Sequence, residues 1–493
     1  MKKLLLLICF VLSAVILFGC GEKTDMPEEN ALIELDNNVK LSSFTYQNKI
    51  TGSAADPFIL KDGGAYYLYS TGGSRFTVRK SFDLINWETQ EEPILRLSDT
   101  TWATQKGWAP EMYEYNGKFY MIFSAANAKG IHSIEIAVCD TPYGKFKPLY
   151  DQPFFSPGYS VIDGSLFFDD DGRIYMYYSK DNSTNIVNGK RTSQTWGVEL
   201  YPDFSGIIGE PVLISTPYQD WELKSGSVLW NEGPVVFKEN GVYYLLYSAN
   251  YFVSEHYSVG YATSDSPLKM FEKNDKACIL SGNGVSVTGP GHCNILRSPD
   301  GSEIYVVYHV HTVPPNTDKG RSLAIDRLII NEDGTLAIDG PSEIRRPLPS
   351  GVIGYKRVTE GFTYAGNGEK AEFSYNSALD NVFDGVIQRG ITGIYSMASG
   401  GNVEVRFDVP TKLTAALIYS STYDDYVPGR IDVEINGKYV VNDCGLIQYG
   451  GRIAAVNLEA LPDGEAVESI KVTVTAANGS EYAALSEIVF IGR

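Results

Sequence analysis

Three acidic residues sit at matched places in this chain, each at or next to the start of a short apolar strand. They are Asp56 in Asp56-Pro57-Phe58-Ile59-Leu60, Asp163 in Asp163-Gly164-Ser165-Leu166 and Glu232 in Glu232-Gly233-Pro234. Carboxyls gathered from distant parts of a chain can divide acid–base work. A nearby negative charge holds one protonated while another stays ionised. Hydrolysis with a general acid and a general base needs that division. Taken singly, each acid reads equally well as a hairpin cap or a surface charge. Three leaders at equivalent places favour a shared site.

The element that must gather them recurs five times. Each unit is a short apolar strand, a tight Gly turn and a second strand dense in tyrosine. Pro110-Glu111-Met112 and Gly291-His292-Cys293 open the two units not led by the three acids. The closing rings Tyr69, Phe123, Tyr178, Tyr247 and Tyr308 recur every 54 to 69 residues. A repeat of that length, built of strands and hairpins, predicts a five-bladed β-propeller. Radial repetition brings the equivalent end of every blade to one axis. Ala65-Tyr66-Tyr67-Leu68-Tyr69 is aromatic or aliphatic throughout, as expected where blade packs on blade. Asn116-Gly117, Asn240-Gly241 and Asp300-Gly301 supply the positive φ of short hairpin turns. The triplet Asp169-Asp170-Asp171 reads as a solvated turn rather than a metal site, because its equivalents in other units are turns. Polar turns followed by an aromatic, as in Ser81 to Trp87 and Ser266 to Phe271, read as packing between blades.

Taken together, Ala55-Asp56-Pro57-Phe58, Trp108-Ala109-Pro110-Glu111, Ile162-Asp163-Gly164-Ser165-Leu166, Asn231-Glu232-Gly233-Pro234 and Gly289-Pro290-Gly291-His292 resemble glycoside hydrolase family 43. The resemblance covers roughly residues 41 to 350. It rests on five motifs in order at blade spacing, since no single one is specific. It implies an inverting glycosidase acting on arabinose- or xylose-containing polysaccharides, of the α-L-arabinofuranosidase or β-xylosidase type. Galactan- or galactofuranose-cleaving members exist too, and a non-catalytic surface glycan-binding lipoprotein is the rival from another class. By the resemblance, Asp56 is the general base, Glu232 the general acid, and Asp163 the neighbour that raises the pKa of Glu232. Inversion needs the two working carboxyls roughly 6.5–9.5 Å apart, leaving room for a water.

Other site candidates carry competing readings. Arg321 resembles a family arginine that holds the terminal sugar, a task suited to the guanidinium fork; a surface arginine is the alternative. His292 resembles a family histidine on the axis that in some members helps hold calcium through water. Calcium prefers oxygen, so a core histidine is the competing reading. No cofactor is required, and a structural calcium is the metal the resemblance allows. Trp108 serves as a sugar platform or as buried packing. His309 and His311 alternate on one strand, so one of them faces the axis. Nothing has zinc spacing, a phosphate-cradling loop or a nucleophile elbow.

The formal charge is −19, or −21 without Lys2 and Lys3. That argues against nucleic acid and against an electrostatic hold on anionic membranes, and is compatible with a neutral carbohydrate partner. Lys2-Lys3 and the apolar run from Leu4 to Phe18 read as a signal peptide over 1–19. Leu17-Phe18-Gly19-Cys20 resembles the bacterial lipobox, with lipid on Cys20. The expected product is an exported, lipid-anchored monomer at the cell envelope. Residues 20–40, polar and acidic, read as a tether. Cys139, Cys278, Cys293 and Cys444 are scattered and suggest no disulfide framework; Cys293 beside His292 reads as packing rather than a thiol catalyst. After Gly351 the pattern changes to clean alternation, as in Val403 to Val409 and Ile431 to Ile435 before Asn436-Gly437. One wet and one core face predict a β-sandwich over 356–493. Asn381-Val382-Phe383-Asp384-Gly385 and the closing Leu485 to Gly492 resemble discoidin-like jelly rolls, including carbohydrate-binding module family 32. The fold class is therefore all-β. Residues 41–350 are expected to fold and act without the sandwich.

Overall fold

The computed structural model describes residues 31–275, 277–367, 377–387, 393–421, 424–446, 452–477 and 479–493. The signal segment and Cys20 lie outside them. The described residues are strands and short 3-10 turns, so the protein is all-β. None of their helices is long and apolar enough to cross a membrane.

Five four-stranded antiparallel sheets follow one another along the chain, each wound in sequence order. Their first strands are Phe58–Asp62, Gln105–Tyr115, Val161–Phe168, Asn231–Glu239 and Gly291–Arg297. Each first strand touches the first strand of the next sheet, and the fifth touches the first. The chain start completes this cycle. Ile50 N–H donates to Leu323 O (2.9 Å) and Leu323 N–H to Thr51 O (2.8 Å), binding the lead-in of the first sheet to the fifth.

Tyrosine explains both the burial and the joints. Tyr69, Tyr177, Tyr178, Tyr247 and Tyr308 are fully buried. Their rings supply much of the apolar area, and each hydroxyl needs a partner at its far end. Tyr69 donates to Pro142 O in the second sheet (2.6 Å), Tyr177 to Pro267 O in the fourth (2.9 Å) and Tyr244 to Gly334 O in the fifth (3.0 Å). Turns of one sheet thus receive bonds from tyrosines of the sheet before it. Asp169 departs from the solvated-turn reading. It is buried and bound to Lys238 Nζ (2.7 Å) and Tyr243 Oη (2.6 Å) of the fourth sheet.

Beyond residue 355 lie a six-stranded and a five-stranded sheet. Val403, Val405, Ile431, Val433, Ile470 and Val472 of the first pack with Ala416, Ile418, Val456, Leu485 and Phe490 of the second. Asn402–Thr411 and Val467–Ala476 bury alternate residues, as their sequence alternation predicts. Leu413–Ser420, in contrast, is buried on both faces. Its second face meets the part built of the five four-stranded sheets: Leu417 and Tyr419 share a cluster with Leu41, Phe44, Ile344 and Ile387. Arg357 pairs with Glu303 (3.1 Å), and Ile387 N–H donates to Asp339 (2.8 Å), across the same junction.

The tether reading needs correction over its described part. Ile33–Glu34 pairs in parallel with Tyr439 and Val440 as the edge of the six-stranded sheet. Asn37 donates to Ala455 O (2.9 Å) and accepts from Asn457 N–H (2.9 Å). Composition alone marks the stretch as polar, but Ile33 and the asparagine amide find unpaired backbone on a sheet edge. Cys139, Cys278, Cys293 and Cys444 are free thiols.

Candidate active site

The five first strands present a backbone feature at one level. Asp56, Ala109, Asp163, Gly233 and His292 all have φ between +44° and +57°. Four of the strands skip register at that point, between Trp108 and Glu111, Ile162 and Ser165, Glu232 and Val235, and Gly291 and Asn294. Such bulges re-aim side chains and cluster at functional sites. Here they turn the leaders into one cavity of about 540 Å³, lined by Asp56, Trp108, Asp163, Glu232, His292 and Arg321. All six residues singled out from the sequence therefore meet. A larger cleft of about 740 Å³ lies at the junction, beside Glu303, Arg357, Phe383 and Glu487, and holds none of the three acids.

Asp56 is held by four groups. Arg321 Nη1 donates to Oδ1 (2.6 Å) and Thr71 Oγ1 to Oδ2 (2.5 Å); the Nδ1 atoms of His292 and His309 each lie 3.5 Å from Oδ1. Burial works against its charge, but Arg321, with His292 and the Thr71 hydroxyl, outweighs it and holds the carboxyl well below the usual range. His309 is not an ionic partner. Its Nδ1 accepts the Asp56 N–H (3.2 Å), and burial keeps its pKa far below the ordinary value. The ring is neutral, with its proton on Nε2. His311 faces away, between Thr288 and Phe252 O.

Glu232 is the opposite case. Burial, then the charge of Asp163, pushes its pKa well up. The Tyr257 hydroxyl donates to its Oε1 (3.0 Å). Asp163 is itself raised, chiefly by burial, and its Oδ2 accepts the Gly233 N–H (3.0 Å) next to Glu232. Gly233 is tightly placed: a Cβ there would lie 3.0 Å from His292 Nδ1, so the ring would have to give.

Trp108 stacks on His132 (4.6 Å between centroids) at the cavity edge, with Lys106 Nζ 5.5 Å from the centre of the Trp108 ring. Arg321 lies over the Phe252 ring. His292 Nδ1 faces Asp56, and no group of three or more His, Cys, Asp or Glu able to hold a metal occurs among the described residues. Burial pushes the Cys293 thiol up to about 12, which suits packing and not nucleophilic attack.

Sequence reasoning passed over Glu111, although it stands in one of the quoted motifs. Its carboxyl accepts from Asn294 Nδ2 (3.1 Å) and bonds the Tyr113 hydroxyl, which also reaches Ser165 Oγ (3.3 Å). Burial raises Glu111 to about 8. It ties three sheets together one step along the strands from the three acids. Thr71 and Tyr257 were also missed; they stand in loops just after a second strand and just before a third, where composition signals only packing.

A protonated acid and an ionised carboxylate facing one cavity define an acid–base hydrolase. Residues 46–336 match the family described as Glycosyl hydrolases family 43, and the chain belongs to that family. It is a glycoside hydrolase. It is 28% identical over 329 residues to the Beta-D-galactofuranosidase xynD of Aspergillus niger, covering 63% of this chain and 88% of that one. Identity is also 28% to the Extracellular exo-alpha-(1->5)-L-arabinofuranosidase of Streptomyces chartreusis, over 54% of this chain and 82% of the relative. The crystal structure of a thermostable family-43 glycoside hydrolase is 41% identical, with a TM-score of 0.59, over 62% of this chain and 99% of that one.

Proposed function

We propose that the chain hydrolyses arabinose- or xylose-containing polysaccharides or oligosaccharides with inversion at the anomeric carbon. The supporting observation is the opposite displacement of two carboxyls in one cavity: Asp56 is held down and Glu232 pushed up. Groups separated in this way mark the base and the acid. Asp56 takes a proton from water as the water oxygen bonds to the anomeric carbon. The bond to the departing oxygen breaks as Glu232 gives that oxygen its proton. Asp163 keeps Glu232 protonated until then. Arg321 keeps Asp56 ionised and, lining the cavity, offers its remaining donors to a sugar hydroxyl. Trp108 and His292 complete the sugar pocket.

In this reading, residues 41–350 are a five-bladed propeller carrying catalysis. Residues 356–493 form a discoidin-like sandwich of the carbohydrate-binding module family 32 kind. The enzyme is exported and lipid-anchored through Cys20, so Cys20→Ser releases it from the membrane fraction with unchanged turnover. The Aspergillus niger relative favours galactofuranosides as the second substrate reading. A panel of aryl α-L-arabinofuranosides, β-xylosides and β-galactofuranosides decides between them, with proton NMR of the first-formed sugar. No turnover on any of them, or net retention, defeats the proposal.

A further inference from the structure

The longest step between closing aromatics, from Tyr178 to Tyr247, contains an inserted segment that ends at the proposed acid. Within it the 3-10 turn Asp220–Leu223 carries Glu222, which has no exposed side-chain surface. Its Oε2 accepts the N–H groups of Tyr218 (2.8 Å) and Gln219 (2.7 Å). Its Oε1 meets Lys273 Nζ, from the outer strand of the fourth sheet, and Asn231 Nδ2 (2.9 Å). Lys273 is equally sealed, at 1% exposure, between the rings of Tyr218 and Tyr247. Its three donors go to Glu222, Thr216 O (2.8 Å) and Asn231 Oδ1 (2.9 Å).

Asn231 is where these bonds converge. Its Oδ1 also accepts from Ser215 Oγ (2.9 Å), and its Nδ2 also donates to Trp230 O (2.9 Å). An asparagine amide offers two donors and two acceptor positions. All four are used, and the residue is wholly buried. Glu232 follows at once, on the opposite face of the strand, just before the bulge and the positive φ of Gly233. Clamping the Asn231 side chain sets the plane of the peptide from which Glu232 projects. Apart from the Tyr257 bond, the direction of the Glu232 carboxyl depends on that peptide.

Stability alone does not account for the ion pair. A buried pair contributes little net stability, because desolvating two charges offsets their attraction, and its best-attested use is to set register. We propose that Lys273, acting through Asn231, is a positioning residue for the proton-donating carboxyl of Glu232. This rests on the assignment of Glu232 as the acid.

The test compares kcat and KM of wild type, Lys273→Met, Ser215→Ala and Glu232→Ala on two glycosides of the sugar cleaved fastest in the aryl panel. One has a methyl and the other a dinitrophenyl leaving group. A misplaced acid matters in proportion to how poor the leaving group is. Lys273→Met is expected to lose about tenfold in kcat on the methyl glycoside and less than about twofold on the dinitrophenyl one, with KM unchanged. Ser215→Ala, which removes one donor to Asn231 and no charge, shows the same split at smaller size. Equal losses on both substrates overturn the proposal. If Lys273→Met does not fold, Ser215→Ala decides: a loss confined to the methyl glycoside supports the clamp, and an equal loss or none overturns it. Glu232→Ala separates the two levels. Without leaving-group dependence in that variant, the assignment of Glu232 fails and the clamp with it. With dependence there but none in Lys273→Met and Ser215→Ala, only the clamp fails.

Discussion

Arg321 Nη1 reaches Asp56 Oδ1 at 2.6 Å, joining residues 265 positions apart in the chain. The contact links the fifth sheet to the lead-in of the first, so the cycle of sheets must be complete before Asp56 acquires its main counter-charge. Ala54 N–H donates to Arg321 O (2.9 Å) and holds the two stretches in register.

Removing that counter-charge has a defined sign. Asp56 lies below its ordinary pKa despite burial, with Arg321 the foremost cause of the lowering. Arg321→Met therefore raises it, and the base is protonated at a higher pH. The acid limb of the kcat/KM profile is expected to move up by roughly one to three pH units. An unmoved acid limb would separate Asp56 from the titration that controls the rate. Stability follows the same group: the depressed carboxyl stabilises the fold above its unfolded pKa, and this is lost as pH falls through the folded value.

Asp56→Asn keeps the shape and the Thr71 contact but cannot take a proton from water. Its kcat is expected to fall by about 10²–10⁴-fold on methyl and dinitrophenyl glycosides alike, because water attack is needed whatever leaves. Near-wild-type turnover in this variant would falsify the role.

Asp163→Asn acts on the other limb. After burial, the charge of Asp163 is the main cause holding Glu232 up. Without it Glu232 ionises earlier, so the alkaline limb of kcat moves to lower pH. An alkaline limb that stays or rises would show that Asp163 does not govern the acid.

These residues were legible because each is local to a recurring motif: an acid before or at an apolar strand can be found without knowing what it touches. Their partners were not. Tyr257 lies in the loop before Ser258–Ser264 and His309 on the valine-rich Ile304–Val313, where a hydroxyl or imidazole looks like packing. Glu222 and Lys273 sit 51 positions apart in segments with no repeat signature. The succession of five sheets, each wound in sequence order, could be read from spacing. The burial of both faces of Leu413–Ser420 could not, because Leu-Thr-Ala-Ala-Leu-Ile-Tyr-Ser fits a one-faced or a two-faced strand.

That second face changes the expectation for truncation. Deleting residues 356–493 exposes Leu41, Phe44 and Ile344 and strips Glu303 of Arg357. Each large apolar side chain left bare costs about 1.5–3 kcal/mol. Residues 41–350 alone are therefore expected to unfold roughly 10 °C lower or more, or to be insoluble, contrary to what the sequence boundary suggests. Calorimetry of the truncated protein checks this, and an unchanged melting temperature would mean that the junction carries no stability.

Gly233 offers the sharpest local test. Its φ of +54° is in the left-handed region, its N–H holds Asp163 Oδ2 at 3.0 Å, and an added Cβ would lie 3.0 Å from His292 Nδ1. Gly233→Ala therefore strains the backbone by about 1–3 kcal/mol and pushes on a ring that neighbours Asp56. Both carboxyls beside it shift, so the loss of kcat is expected to exceed what the fall in melting temperature explains. The control is Gly241→Ala. It has a similar φ of +81° with nothing within 4 Å of the added carbon, at a turn remote from the cavity lining. It should destabilise to a similar degree and leave kcat intact. Equal kcat in the two variants would place the constraint at Gly233 in the backbone alone and free His292 and Asp163 of any dependence on it.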